Sequence, residues 1–519
     1  MNPMKSGLWL MLSLIAACGQ PVSPSSWEAD SAKIVDVPNT PVERQTIGNC
    51  WVYAHAGWAG SLHLQATGES LDLSESYWSY MHWFQQLTGQ EDRASRRLST
   101  GGDWTQAQEL ISRYGLMKAS DFVPEDAKDE RSARQASALL AVERALQDGE
   151  LQDPEVRADR VRVREILDAA WGLDDGVRAA LDRVFGKGLE TSFADGAQGA
   201  GTQIISAQEF AAQYVDGAGK RIQTTLDRAL RDWRSVRYPT EATFQRDVLR
   251  QMQRALHAAQ PVMMSWMVDF NAFERAPDSP LVGSFNLGAL NRMNRPGTQG
   301  GHMTVLEDYQ AIVPVGRELS EQVTVAPRQW LTLGPYELAL ETRAEVEMTG
   351  TGDADLYLRV GEPPTAAQSD CRSLRFDSTE ACSVQGRTGR LYVSIVARKR
   401  TSQVQVKIRI ADSSELLQAG RTLDPSIPTD QARLQAALAE GTRIVFLRVK
   451  NSWGGAQRTG YPFARGPTAA DGTQVLGYHD LYLDYLNGPI PDASACQGAL
   501  ADCKQTLVPL QEFILPPGF

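Results

Sequence analysis

Apolar positions along this chain change their period several times, and each change predicts a different element. Trp51, Ala54, Trp58 and Leu62 recur at three to four residues, the spacing of a buried helix face, within an aromatic run that extends to Phe84. Gly101-Gly102 breaks the run. Trp104 to Tyr114 is again helical in pattern and stops at Gly115, a residue suited to a helix C-cap. Asp126 to Val184 is rich in Ala, Arg, Asp and Glu and predicts several helices with solvated charged faces. Phe244, Val248, Met252 and Leu256 step by four, so Thr240 to Ala259 predicts an amphipathic helix that Gln260-Pro261 ends. Val262 to Phe270 reads as a buried strand, and Gly300 to Leu306 opens a second. From Val313 to Ala411 the period drops to two, as in Val404, Val406, Ile408 and Ile410 against Gln405, Lys407 and Arg409. Short alternating strands punctuated by Gly and Pro predict a small β-sandwich. Gln431 to Glu440 returns to a helical pattern. Arg443 to Val449 is a buried strand running into Lys450-Asn451-Ser452-Trp453-Gly454, and Gly477 to Tyr485 is another. The fold class expected is α+β.

Composition narrows the classes of function. The 519 residues are 42% hydrophobic and 22% charged, as in globular proteins, and the net charge is −11. A nucleic-acid partner is disfavoured, because such surfaces are normally basic. Gly7 to Ala17 is an apolar run too short to span a bilayer, which takes about 20 residues. It has the length of a signal-peptide core. The run ends Leu14-Ile15-Ala16-Ala17-Cys18, which resembles a bacterial lipobox. That resemblance implies residues 1–17 as a lipoprotein signal, lipidation of Cys18, a polar tether over 18–41 and a membrane anchor at the outer membrane or cell surface. Cleavage after Ala17 by a plain secretory route is the alternative. Either route exports the chain and permits disulfides.

Six cysteines and six histidines carry the candidate chemistry. Cys50 lies in a Gly-bearing turn, Gln45-Thr46-Ile47-Gly48-Asn49-Cys50, that runs into the Trp51 helix. A thiol at a helix N-terminus is favoured as thiolate, the reactive form. It needs a histidine to pair with. His55, His63 and His82 lie in aromatic helical stretches and read as packing residues. His257 ends a helix, where a cation is mildly stabilised. His479 lies in a strand and reads as possible surface. His302, at the mouth of a strand after two glycines that admit a close neighbour, is the best base. Asn451 ends a buried strand and suits the group that orients the imidazole, with Trp453 as an apolar shield. No Cys/His cluster has zinc spacing, and Asp353 with Asp355 reads as turn chemistry rather than a calcium site, so neither metal nor cofactor is expected. Cys496 and Cys503 are close enough for a local disulfide.

Gln45…Gly48-Asn49-Cys50-Trp51, Gly301-His302-Met303 and Lys450-Asn451-Ser452-Trp453-Gly454, in this order, resemble the papain-like cysteine peptidases. Leu73-Ser74-Glu75 and Gly101-Gly102 match further landmarks. Gly101-Gly102-Asp103-Trp104, Tyr114-Gly115-Leu116 and Ile204-Ile205-Ser206 are closer to the bleomycin-hydrolase branch. The resemblance implies a two-lobed fold over 42–312 and 412–490 with a helical insertion at about 125–200. It implies a peptide or protein substrate, Cys50 as nucleophile, His302 as acid and base, and Asn451 as orienting amide. Gln45 would serve the oxyanion, with Trp51 and Trp453 in support. A retired scaffold that binds a surface partner through its sandwich is the other reading. Residues 313–411, with Gly352-Asp353-Ala354-Asp355-Leu356-Tyr357, Asp370-Cys371-Arg372 and Ala381-Cys382-Ser383, resemble the pre-peptidase C-terminal domain of secreted bacterial peptidases, which implies a Cys371–Cys382 disulfide. Residues 491–519 read as a C-terminal tail.

Overall fold

A computed structural model describes residues 34–89, 96–195, 203–338, 343–417, 422–455, 476–496 and 498–519. Its fold is α+β. The signal segment, Cys18 and the tether before residue 34 lie outside the described residues.

The aromatic stretch folds as two helices, α1 (Cys50–Thr67) and α2 (Glu75–Thr88), followed by α3 (Trp104–Tyr114). Ser74 caps α2 by accepting from the Tyr77 amide, and Asp103 caps α3 by accepting from that of Gln106. Gly115 ends α3 at φ 66°. A β-carbon there would meet the Ile205 carbonyl, so only glycine fits. The charged segment forms α4 (Gln135–Gln147), α5 (Arg160–Trp171) and α6 (Asp175–Phe185). Their apolar faces join the same core as Trp58 and Trp83, and Trp171 packs on Trp83 at 5.1 Å between ring centres. Not all their charges face water. Arg164 is buried, paired with Asp168 at 3.0 Å and Asp182 at 2.9 Å, and the Tyr80 hydroxyl donates to Asp168.

The opposing layer is a sheet. Its strands in chain order are β1 (Arg234–Arg237), β2 (Met263–Asp269), β3 (Gln299–Val325), β4 (Trp330–Leu338), β5 (Arg343–Thr351), β6 (Ala354–Val360), β7 (Cys371–Ser373), β8 (Glu380–Gln385), β9 (Gly389–Ala397), β10 (Ser402–Leu417), β11 (Arg443–Lys450), β12 (Tyr478–Tyr482) and β13 (Leu510–Leu515). One sheet runs β8-β5-β10-β3-β2-β13-β1, with β11 pairing β3 and β12 pairing β11. The second sheet is β7-β6-β9-β4. Helix α7 (Ala242–His257) packs Met252 and Leu256 against this layer, in a core with Trp266, Leu306, Leu447 and Phe513.

Strand β3 is 27 residues long and serves both units. Its first half pairs with β2 and β11, from Met267↔Gly301 and Val305↔Lys450 onward. Its second half pairs with β10 from Ala311↔Leu417 to Val325↔Ser402. The chain leaves and re-enters the first unit on adjacent strands, so the sandwich hangs from a continuous ladder. Within it, Val346, Leu356, Leu358, Val393, Ile395 and Ile408 form a separate core.

Two elements depart from the sequence reading. The stretch read as strand through Tyr485 turns helical after Tyr482, over Leu483–Asn487. The residues read as a tail contribute β13, inserted between β2 and β1 with Phe513 fully buried. Both depend on pairing between segments far apart in sequence, which local pattern does not encode.

Arg448 on β11 and Asp480 on β12 form a bidentate pair at 2.7 and 3.0 Å, with both side chains almost fully buried. Removing one partner strands the other charge. Asp480→Ala is expected to cost about 3 to 5 kcal/mol, read from urea unfolding followed by tryptophan fluorescence. A loss under about 1 kcal/mol would show that the pair does not hold β11 to β12.

Candidate functional site

Helix α1 begins at Cys50. Its N-cap residue Asn49 makes no cap bond; its side-chain N–H groups donate to Ser79 Oγ and Gln135 Oε1. No acidic side chain stands in the first turn. The Val52 amide donates to the Asn49 carbonyl at 3.1 Å, and the Trp51 amide and the positive end of the helix dipole act on the thiol. Cys50 is buried and is the free cysteine among the described residues. Burial pushes its thiol up. The positive charge of His302, a hydrogen bond with that side chain, and the backbone N–H groups of Met303 and Trp51 outweigh burial and hold it below the ordinary thiol value.

His302 lies on β3 opposite Trp266 of β2. Its Nε2–H donates to Asn451 Oδ1 at 2.8 Å. The amide orientation of Asn451 is fixed independently, because the backbone N–H of Ser452 donates to the same oxygen at 2.8 Å. The other ring nitrogen is left for Cys50. Burial disfavours the His302 cation. The Cys50 thiolate and the hydrogen bonds to Cys50 and Asn451 reverse that and raise the imidazole above its ordinary value. Trp453 stacks on the ring at 5.2 Å and 26°, and Trp266 meets it edge-on at 5.6 Å. Together these fix the plane of the imidazole.

Gln45 ties the thiol turn to the end of β11. Its backbone N–H donates to the Ser452 carbonyl at 2.8 Å, its Oε1 accepts from Ser452 Oγ, and its Nε2 donates to the Ile47 carbonyl at 2.8 Å. The amide expected to face an oxyanion is therefore engaged within its own turn. Trp51 donates from its indole to the Thr100 carbonyl at 2.9 Å, and a β-carbon on Gly102 would collide with the Trp51 ring. Gly300 and Gly301 differ from expectation: no protein atom approaches the position of a β-carbon at either, so they leave open space beside His302 rather than admit a packed neighbour.

The sequence reading missed a charged cluster behind the site. Lys450, the residue before Asn451, donates to Thr40 Oγ1 at 2.8 Å. Loss of hydration lowers its ammonium to about 8, against the pull of Glu43 and Glu75. Burial, then the charge of Asp72, raises Glu43 to about 8. The signal was present: Lys450 follows apolar Val449 directly before Asn451.

The other histidines are held by the fold. His55 and His63 bond the carbonyls of Trp51 and Ala211, and His82 bonds Gln86 and Gln106. His257 does not act as a helix-end cation. It bonds the Tyr309 hydroxyl at 2.8 Å, and burial lowers it to about 4. His479, read as possible surface, is fully buried on the Gly283 carbonyl, and burial lowers it to about 4 as well. Cys371–Cys382 and Cys496–Cys503 are disulfides. Asp355 is paired with Arg398.

No protein-family model matches the chain. Curated relatives match over short stretches. A neutral protease of Vibrio proteolyticus is 44% identical over 8% of this chain and 7% of its own length. A zinc metalloprotease of Helicobacter pylori is 46% identical over 8% and 17%. An alkaline serine exoprotease A of Vibrio alginolyticus is 40% identical over 12% of each. The chain thus spans less than a fifth of the length of the curated relatives it matches. These findings correct the expectation of a papain-like cysteine peptidase: the family is not matched, and the relatives are metalloproteases and a serine exoprotease. The physical reason is that motifs of four or five residues fix the geometry of a turn or a strand end, not the ancestry of a chain. The coarser expectation of a peptidase agrees with the relatives' names. Those names cover two catalytic classes, so the short shared stretch does not dictate the chemistry of this chain.

A metalloprotease reading requires ligands. Among the described residues no group of three or more His, Cys, Asp and Glu side chains is gathered as a metal would need. All six histidines are described, and each is bonded to a protein group. The described residues do not fit a catalytic zinc, whose protein ligands are typically three clustered side chains of this kind. What the Cys50–His302–Asn451 arrangement can do is hold a thiolate against an imidazolium. Such a pair can form an S–C bond to an acyl carbon while the imidazolium proton goes to the departing group.

Alkylation of Cys50 by iodoacetamide, followed by mass spectrometry across pH, checks the electrostatics. In the wild type the thiolate is expected to react below the ordinary thiol range of about 8.5. Asn451→Ala removes an acceptor that favours the His302 cation, so the reactive form should need a higher pH. His302→Ala should move it higher still, because only burial and two amides remain. Coincident profiles for the three proteins would contradict the assigned ion pair.

Proposed function

We propose that this chain is an exported peptidase and that Cys50, His302 and Asn451 are the residues at which it cleaves the peptide bond. The observation that carries this reading is the hydrogen-bonded line from the start of α1 through His302 to Asn451, a thiol held low and an imidazole held high. Gly300 and Gly301 leave room for a substrate backbone beside His302. Trp453 and Trp51 hold the ring and the helix start in place. Gln45 contributes by fixing the Cys50 turn to Ser452. The relatives' names support a peptidase, and a protein or peptide substrate follows from that. The two disulfides suit an oxidising compartment. Lipidation of Cys18 is the proposed anchor. Residues 42–312 with 412–490 form the proposed peptidase unit, with 313–411 as an inserted sandwich.

Purified protein lacking residues 1–18 should cleave a fluorogenic peptide library. Cys50→Ala or His302→Ala should lower kcat/KM by at least about a thousandfold, equivalent to roughly 4 kcal/mol of transition-state stabilisation. 1,10-Phenanthroline is included as a separate arm. Activity that survives Cys50→Ala and disappears with the chelator would move catalysis to another site and overturn the assignment.

A further inference from the structure

The outer face of the sheet β7-β6-β9-β4 carries a patch that the proposed peptidase function does not use. Trp330 is 42% exposed and lies on Tyr357 with ring centres 4.9 Å apart. Tyr357 is itself buried, so it forms a fixed base for the exposed indole. Register places Arg372, Tyr357, Ser394 and Thr332 in one row across the four strands. Asp355, Val396 and Trp330 stand in the next row of the same face. The bond between Thr332 and Ser394 hydroxyls, at 2.8 Å, shows the side chains of that first row meeting on this face.

Cations surround the indole. The Arg328 amide donates to the Ala397 carbonyl at 2.7 Å, which brings the Arg328 segment beside the turn that carries Lys399 and Arg400. Arg328, Arg372, Lys399 and Arg400 are all exposed and have no ion pair among the described residues. Asp355, on this face, is paired with Arg398, and the charges of Asp353 and Glu380 also reach it. In a chain of net charge −11, these four exposed cations without an ion pair among the described residues are the charge this face offers a ligand. At about 4.8 Å per strand the row from Arg372 to Thr332 spans roughly 14 Å, with Tyr357 and Ser394 buried between its exposed ends. Leu374 and Phe376, both exposed, follow Arg372 at its edge.

We infer that this face binds an anionic polysaccharide. A flat indole offers an apolar platform to the C–H face of a sugar ring. Unpaired guanidinium and ammonium groups at its rim suit carboxylate or sulfate substituents, with arginine giving two parallel N–H bonds to each. A protein ligand would be expected to bury a larger apolar centre, and a lipid surface to meet a wedge of exposed aliphatic side chains at the platform itself, where here Leu374 and Phe376 stand only at the edge. The surface would hold the enzyme on a carbohydrate matrix independently of catalysis.

The test uses the whole chain without residues 1–18 and four probes: polygalacturonate, heparin, neutral dextran, and phosphatidylglycerol vesicles. Binding to polygalacturonate or heparin, weakened steeply by salt and absent for dextran, is expected. Trp330→Ala, and separately Arg372→Glu with Lys399→Glu, should each weaken it at least tenfold, with peptide hydrolysis and thermal midpoint unchanged. Trp330→Phe should retain most of it. No binding to either anionic polymer at low salt would overturn the inference. So would equal binding by Trp330→Ala, equal binding to dextran, or binding to the vesicles alone, which would assign the patch to a lipid surface.

Discussion

The hydrogen bond from His302 to Asn451 is the constraint around which the rest of this molecule is arranged. It joins residues 149 positions apart, and it forms because β3 and β11 are paired strands whose register sets Val305 beside Lys450. A slip of one residue would turn every side chain of the pair to the other face. The buried pair of Arg448 and Asp480 fixes β11 to its other neighbour, so the strand is held on both edges before it delivers Asn451 to the site. Trp453 and Trp266 then close on the imidazole from two directions. Helix α1 presents its first turn to His302 from the opposite side.

This arrangement explains how a whole sandwich can intervene between the two halves of the site without disturbing it. Strand β3 continues unbroken past His302 into the sandwich, and β10 returns beside it through fifteen paired positions. The connection is a ladder rather than a pair of loops. The cost of closing the intervening chain is therefore met by strand pairing, and the geometry at Asn451 is insulated from the length of what was inserted.

Much of this was legible from residue patterns, but unevenly. Trp104 to Tyr114 has a helical period and a terminal Gly115, both local signals, and it folds over those residues. The thiol turn, the glycine-preceded histidine and the strand-end asparagine were legible as chemistry, and the fold brings them together. The C-terminal strand was not legible, because Leu510–Leu515 becomes a strand only by insertion between β2 and β1. His479 was misjudged for the same reason: its burial comes from Gly283 and Phe273, distant in sequence. The family was least legible of all. Short motifs report the geometry they build, and the relatives found for this chain are proteases of other classes over short stretches.

The central claim is that Cys50 is held as a thiolate by the His302 cation. Ultraviolet difference absorbance of the thiolate, wild type minus Cys50→Ala, measures this without substrate or inhibitor. A thiolate signal is expected to appear already below the ordinary thiol range of about pH 8.5. A signal that first appears above about pH 8.5, as for an ordinary thiol, would contradict it.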